Sequence, residues 1–101
     1  MITVIVQISV KEEMLSGYQE IVNLLSRKFR GRPGCICYTF HQNISRPTDF
    51  VLHEQWENQS DLDSHYDALV ALIGPAKPGQ VFPERLMNMY HKAEPSFYKT
   101  M

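Results

Sequence analysis

Ile2, Val4, Val6, Ile8 and Val10 recur at every second position near the start of the chain. A period of two is the mark of a β-strand with one buried face, because successive side chains of a strand point to opposite sides. The period then changes. Leu15, Tyr18, Val22, Leu25 and Phe29 follow a spacing of three to four, which predicts an amphipathic helix over Lys11–Arg30. Lys28, Arg30 and Arg32 crowd its end, where cations suit the negative pole of the helix, and Gly31, Pro33 and Gly34 stop it. Strand chemistry resumes over Cys35–Asn43. After the polar turn Ser45-Arg46-Pro47-Thr48-Asp49 it returns over Phe50–Glu57, so these two segments read as an antiparallel hairpin.

Ser60 and Asp63 form a capping-box-like pair opening a second helix, with Leu62, His65, Tyr66, Leu69, Val70 and Ile73 on one side. Gly74 and Pro75 end it. The segment to Pro83 holds Pro75, Pro78 and Pro83 and reads as a loop, and nothing in its residues says whether 74–83 acts as a lid. Glu84–Lys92 reads as a final strand and Pro95–Met101 as a tail whose Phe97 and Tyr98 call for a docking surface. The order β-α-β-β-α-β is the split βαβ, or ferredoxin-like, arrangement: an α+β fold with one antiparallel sheet and two helices on one face. The opposite face is left bare, so a second copy packed sheet to sheet is a physical expectation.

With 101 residues, the chain has the length of a single domain over 1–101. Ten Lys and Arg against eleven Asp and Glu leave a net charge of −1, so no basic field recruits nucleic acid or an anionic membrane. No stretch approaches the ~20 apolar residues of a membrane span, and the N-terminal segment lacks the basic region and cleavage site of a signal peptide. Cys35 and Cys37, two apart on a predicted strand, are expected on one face as reduced, unbridged thiols, in keeping with a cytoplasmic location. His41, His53, His65 and His91 include no i, i+4 pair, so no metal site is expected, although His41 and His53 are placed as neighbours across the hairpin. Gly31-Arg32-Pro33-Gly34 is a helix stop, not a phosphate loop, and no dedicated nucleotide or flavin motif is present.

Pro33-Gly34-Cys35 with Tyr38, then Phe50-Val51-Leu52-His53-Glu54-Gln55-Trp56, then Leu62 with His65, resembles the antibiotic-biosynthesis-monooxygenase domain family. That family shows Pro-Gly-Cys-x-x-Tyr, a strand with Glu-x-Trp and a helix opening with Leu-x-x-His. The resemblance implies a dimeric α+β barrel, paired through opposed sheets, with a small-molecule pocket between each sheet and its own helices. Among the family's activities are cofactor-independent oxygenation of quinols and polyketides, haem degradation and isomerisation of a small signal molecule. This chain departs from the haem-degrading pattern, offering Gln7 rather than Asn on the first strand and no Trp on the second helix. Where many members carry a second histidine it has the aliphatic run Ala68–Ile73.

A cofactor-free oxygenase must remove a proton from an electron-rich substrate, hold the anion and supply a dry aromatic wall. His65 fits the base, since imidazole titrates near neutrality. Trp56 and Tyr66 fit the wall, with Leu69 beside them, and Asn58 or Tyr38 fits the anion contact. Glu54 shares a strand face with Trp56, while His53 and Gln55 face the other way. Each residue also has a purely structural reading. Glu54 and Trp56 can pair to close a sheet edge or a dimer contact, and His65 can be a packed histidine. Tyr38 can be a core aromatic, and Asn58 part of the turn before the helix. The leading expectation is a homodimeric, cofactor-independent monooxygenase acting on a small aromatic or quinol-like compound. The alternatives are a non-catalytic small-molecule-binding or stress-response module, and a small-molecule isomerase of the same fold.

Overall fold

The alternating segment at the start becomes a central strand, β1 (Ile2–Val10), with Val4, Val6, Ile8 and Val10 buried. In the computed structural model, which describes residues 1–101, a short 3-10 turn (Glu12–Met14) leads into α1 (Leu15–Phe29). β2 (Cys35–Gln42), β3 (Asp49–Trp56), α2 (Gln59–Ile73), a one-turn helix α3 (Glu84–Met87) and β4 (Tyr90–Lys99) follow. The sheet order is β2-β3-β1-β4 with every neighbouring pair antiparallel. This is the expected ferredoxin-like α+β arrangement. No helix is long and apolar enough to cross a membrane.

α1 buries Tyr18, Ile21, Leu25 and Phe29, and α2 buries Leu62, His65, Leu69 and Ile73. The spacing of three to four that marked both helices thus sets which faces meet the sheet. Val70, expected on the same side of α2, is exposed. β3 presents Phe50, Leu52, Glu54 and Trp56 to the helices, opposite Ile8, Val6, Val4 and Ile2 of β1. A hydroxyl pair, Tyr18 to Tyr90 at 2.9 Å, ties α1 to the start of β4 inside the core.

The turn between α1 and β2 explains why Pro33-Gly34-Cys35 stands where it does. Gly34 has φ +81°, and a Cβ there would run into the Asp61 side chain near the start of α2. Only glycine satisfies both the left-handed backbone and the close approach. Its carbonyl accepts the N–H of Glu57 at 2.9 Å, so this turn fixes where β3 ends and α2 begins.

Five expectations are corrected. Glu84–Lys92 is not one strand: Glu84–Met87 is helical and β4 starts at Tyr90. Leu86, Met87, Met89 and Tyr90 form an apolar cluster too short for its period to separate helix from strand, and Pro83 favours a helical start. The supposed tail continues β4 to Lys99 on the outer edge of β1, where Pro95 is tolerated because an edge strand has spare N–H positions.

The second helix begins earlier than the Ser60–Asp63 pair implied. Asn58 is its cap, accepting the Asp61 N–H at 2.9 Å, and its backbone is extended. Finally, Cys35 and Cys37 do not share a face. A register shift at Ile36 sets Cys35 opposite Trp56 and Cys37 opposite Gln55. Cys35 packs on the core, whereas Cys37 Sγ lies 3.6 Å from His53 Nδ1 on the bare side of the sheet. The residue across from His53 is Thr39 rather than His41.

Candidate functional site

β3 and α2 bring the chemistry together. Alternation along β3 aims Glu54 and Trp56 toward the helices, and the first turns of α2 drop His65 onto them. His65 is 1% exposed and Glu54 is 1% exposed, the two buried polar side chains of an otherwise apolar interior. Such groups are costly to bury unless each finds a partner. The indole N–H of Trp56 donates to Glu54 Oε1 at 3.0 Å, and His65 Nε2 lies 3.4 Å from that same oxygen. The Trp56 ring stacks on the imidazole, with centroids 4.7 Å apart and planes 27° apart. Phe29 and Tyr38 meet the imidazole nearly edge-on at 4.6 and 5.3 Å, so the ring is walled on several sides.

The Glu54–His65 geometry is that of an ion pair, but burial pushes both groups toward neutrality. Loss of solvent raises Glu54 to about 7, partly offset by the Trp56 N–H. Burial lowers His65 to about 4, helped by the positive charge of Arg32 in the turn before β2. His65 is therefore a neutral imidazole at physiological pH, and Glu54 titrates there. The Tyr38 and Tyr66 hydroxyls are both pushed upward by burial, with the Glu54 charge adding to each, and remain protonated.

A small cavity, about 10 Å³, lies beside this cluster. Tyr38, Glu54, His65, Tyr66 and Leu69 reach its wall, together with Phe82 from the loop after α2. Eleven of its thirteen lining residues are hydrophobic, so a polar ligand would meet few partners there. Two of the lining residues carry a buried polar atom without a protein partner, His65 at Nδ1 and Tyr66 at its hydroxyl. Trp56 is not on the wall but packs on His65, and Asn58 is exposed at the α2 cap. Phe82, Leu86 and Tyr90 were not anticipated as lining residues. The signal for Phe82 was an apolar Val81-Phe82 pair inside a Pro/Gly loop, where exposed residues are the rule.

A wider hollow, about 310 Å³, opens at the β2–β3 turn, with Arg46, Asp49 and Lys92 on its rim. Its charges are already paired: Arg46 with Asp49 at 2.9 Å and Lys92 with Glu94 at 3.2 Å.

The sequence model of the antibiotic biosynthesis monooxygenase family matches residues 1–68, a stretch that holds Tyr38, Glu54, Trp56, Asn58, His65 and Tyr66. The chain belongs to the antibiotic biosynthesis monooxygenase family. Solved structures with the same fold include a protein from Nitrosomonas europaea provisionally named an antibiotic biosynthesis monooxygenase. It is 20% identical, with a TM-score of 0.82, and the match covers 100% of this chain and 99% of that one. A Deinococcus radiodurans protein given the same provisional name matches at 19% identity and a TM-score of 0.77, over 100% and 93% of the two chains. A conserved protein from Methanosarcina mazei matches at 22% identity and a TM-score of 0.77, over 99% and 92%. Identity this low carries the fold and not the activity. Among curated proteins, the uncharacterised Synechocystis protein sll1783 is 32% identical over 56 residues. That match covers 55% of this chain and 35% of the relative, so the chain spans about a third of the relative's length. The family motif Glu-x-Trp with Leu-x-x-His corresponds here to one packed unit, since Glu54, Trp56 and His65 touch one another.

Proposed function

We infer that this member of the antibiotic biosynthesis monooxygenase family is a cofactor-independent monooxygenase, a single cytoplasmic domain working as a homodimer on a small aromatic or quinol-like compound. The observation that carries the reading is His65, a residue of the cavity lining: buried and neutral, its Nε2 against Glu54 and its Nδ1 without a partner. The ring nitrogen is free to accept a proton, although burial, which lowers His65 to about 4, makes it a weaker base than the near-neutral imidazole expected from the sequence. In this reading Nδ1 takes a proton from the substrate, and the anion left behind reduces dioxygen. For an anthrone, one oxygen atom replaces the two hydrogens of the ring methylene and the other leaves as water, the substrate supplying all the electrons. Tyr66, Tyr38 and Leu69 bound the ligand, and Trp56 supports His65 from behind. Asn58 enters the proposal as the residue that anchors the start of α2.

An aromatic ring does not fit a cavity that holds about one water molecule. Admission therefore requires the wall to open, and in this reading it is the 74–83 segment, which carries Phe82, that moves. Oxygen uptake measured against a panel of hydroquinones and anthrones is expected to show turnover that drops about 100-fold or more in His65→Ala. No uptake with any member of the panel, or an unimpaired variant, overturns this reading.

The apolar lining of the cavity favours a second reading, a module that holds an apolar small molecule without chemistry. It predicts thermal stabilisation by ligand with no product by mass spectrometry. The homodimer rests on the bare face of the sheet, where Ile5, Val51 and Tyr98 are partly or well exposed. Light scattering at micromolar concentration is expected to give twice the 11.7 kDa of one chain, and a monomeric mass would overturn the pairing.

A further inference from the structure

His53 stands near the middle of the bare face of the sheet. In one row it pairs with Thr39 of β2 on one side and Ile5 of β1 on the other, and Ile5 pairs in turn with Ser96 of β4. Each lies close to the midpoint of its strand, and β3 and β1 are the two inner strands, so the centre of the face falls between His53 and Ile5. With strands about 4.8 Å apart, His53 is within about 2–3 Å of that centre. β2 sets Cys37 diagonally beside it, a contact that follows from the shifted register and that spacing along the chain does not announce. Both side chains are half-buried.

Cys37 Sγ lies 3.6 Å from His53 Nδ1, 3.7 Å from the His53 carbonyl oxygen and 3.7 Å from Thr39 Oγ1. A thiol has one weak hydrogen to donate and serves only one of these acceptors. The sulfur–nitrogen distance has a second meaning. Zinc bonds of about 2.3 Å to sulfur and about 2.0–2.1 Å to nitrogen, opened to the tetrahedral angle, hold the two atoms about 3.6 Å apart. The pair is thus spaced as one edge of a zinc tetrahedron. One chain brings no third His, Cys, Asp or Glu to it.

We propose that Cys37 and His53 are half of a zinc site, completed by Cys37 and His53 of a second copy packed on the bare face. A two-fold axis that sets one sheet against another lies in the plane between them. Residues at the centre of the face then meet their own twins whichever way that axis runs. Packed sheets are about 10 Å apart, and a side chain about 3 Å long plus one zinc bond spans about half of that. Two thiolates and two neutral imidazoles make the Cys₂His₂ set of structural zinc sites, and their two negative charges cancel the charge of the ion. On binding, each S–H bond breaks and its proton leaves to solvent. The electron pair stays on sulfur and forms the bond to zinc, with no change of oxidation state. The Thr39 hydroxyl is left to donate to the thiolate. The inference rests on the sheet-to-sheet homodimer, and on neither the cavity nor any reaction with oxygen.

Titration of the metal-free chain with cobalt(II), whose tetrahedral thiolate complexes are coloured, is expected to saturate at one ion per two chains and to be reversed by zinc. The colour should be absent in Cys37→Ser and in His53→Gln. His41→Gln, two residues beyond Thr39 on the same strand face, should bind as the wild type does. Light scattering on dilution should show the dimer persisting to about 100-fold lower concentration when zinc is present at about 100 times its dissociation constant. No thiolate band, saturation at one ion per chain, colour retained in Cys37→Ser or His53→Gln, or binding lost in His41→Gln overturns the shared site. A dimer indifferent to zinc sinks this inference and leaves the homodimer standing. A chain that stays monomeric with zinc sinks both, and one that pairs only with zinc upholds the site while overturning the pairing of the metal-free chain.

Discussion

Replacing Glu54 with glutamine is expected to turn a flat pH profile of stability into a rising one. His65 has its folded pKa lowered to about 4 from 6.5. Its contribution is fully present above 6.5 and is lost as pH falls through 4, so it makes stability rise with pH. Glu54 has its folded pKa raised to about 7 from 4.5. Its contribution is fully present below 4.5 and is lost as pH rises through 7, so it makes stability fall. Each shift is worth on the order of 3 kcal/mol, taking about 1.4 kcal/mol per unit. In the wild-type chain the two slopes oppose each other between 4.5 and 6.5 and nearly cancel. Glu54→Gln removes one of them. The His65 shift comes from burial and Arg32, so it persists, and stability should climb by about 3 kcal/mol across that acid range. His65→Gln should show the mirror image, a decline from 4.5 to 7. Urea denaturation at a series of pH values reads both. Parallel profiles for the wild type and Glu54→Gln would show that the buried pair does not titrate as described.

Trp56→Ala is expected to cost about 3–5 kcal/mol, a large part of the ~5–15 kcal/mol that holds a domain of this kind. The indole is 1% exposed, stacks on His65 and supplies the N–H that Glu54 accepts. Its loss therefore creates a cavity and strips a partner from a buried carboxyl at once. At about 4–8 °C per kcal/mol for a domain of this size, the melting temperature should fall by on the order of 20 °C. Trp56→Phe separates the two effects. Most of the packing survives, but the acceptor on Glu54 loses its donor, costing about 1–3 kcal/mol and driving the Glu54 pKa above 7. A loss below about 1 kcal/mol in Trp56→Ala would show that the indole is not part of the core.

Much of this cluster could be read before any coordinates. A period of two forces Glu54 and Trp56 to one face of β3, and a spacing of three to four carries Leu62, His65 and Leu69 to the side of α2 that meets the sheet. What escaped was decided by single residues acting outside a period. The bulge at Ile36 inverts the facing of Cys35 relative to Cys37, and no alternation pattern announces one extra residue. Asn58 caps α2 two positions ahead of Ser60, because several polar residues in a row can each serve as a cap and only the path of the backbone chooses. Phe82 lies in a loop, outside any helix or strand period. Its burial depends on the path of that loop, which local spacing does not encode.

The bulge in β2 has a covalent consequence. With one thiol turned into the core and the other to the opposite side of the sheet, no rotation of side chains brings the two sulfurs within bonding distance, since a disulfide needs its Cβ atoms about 4 Å apart and aimed at each other. Cysteines two positions apart in the chain are thereby chemically strangers. The folded chain cannot crosslink itself, and its stability answers to packing and protonation rather than to the redox state of its surroundings.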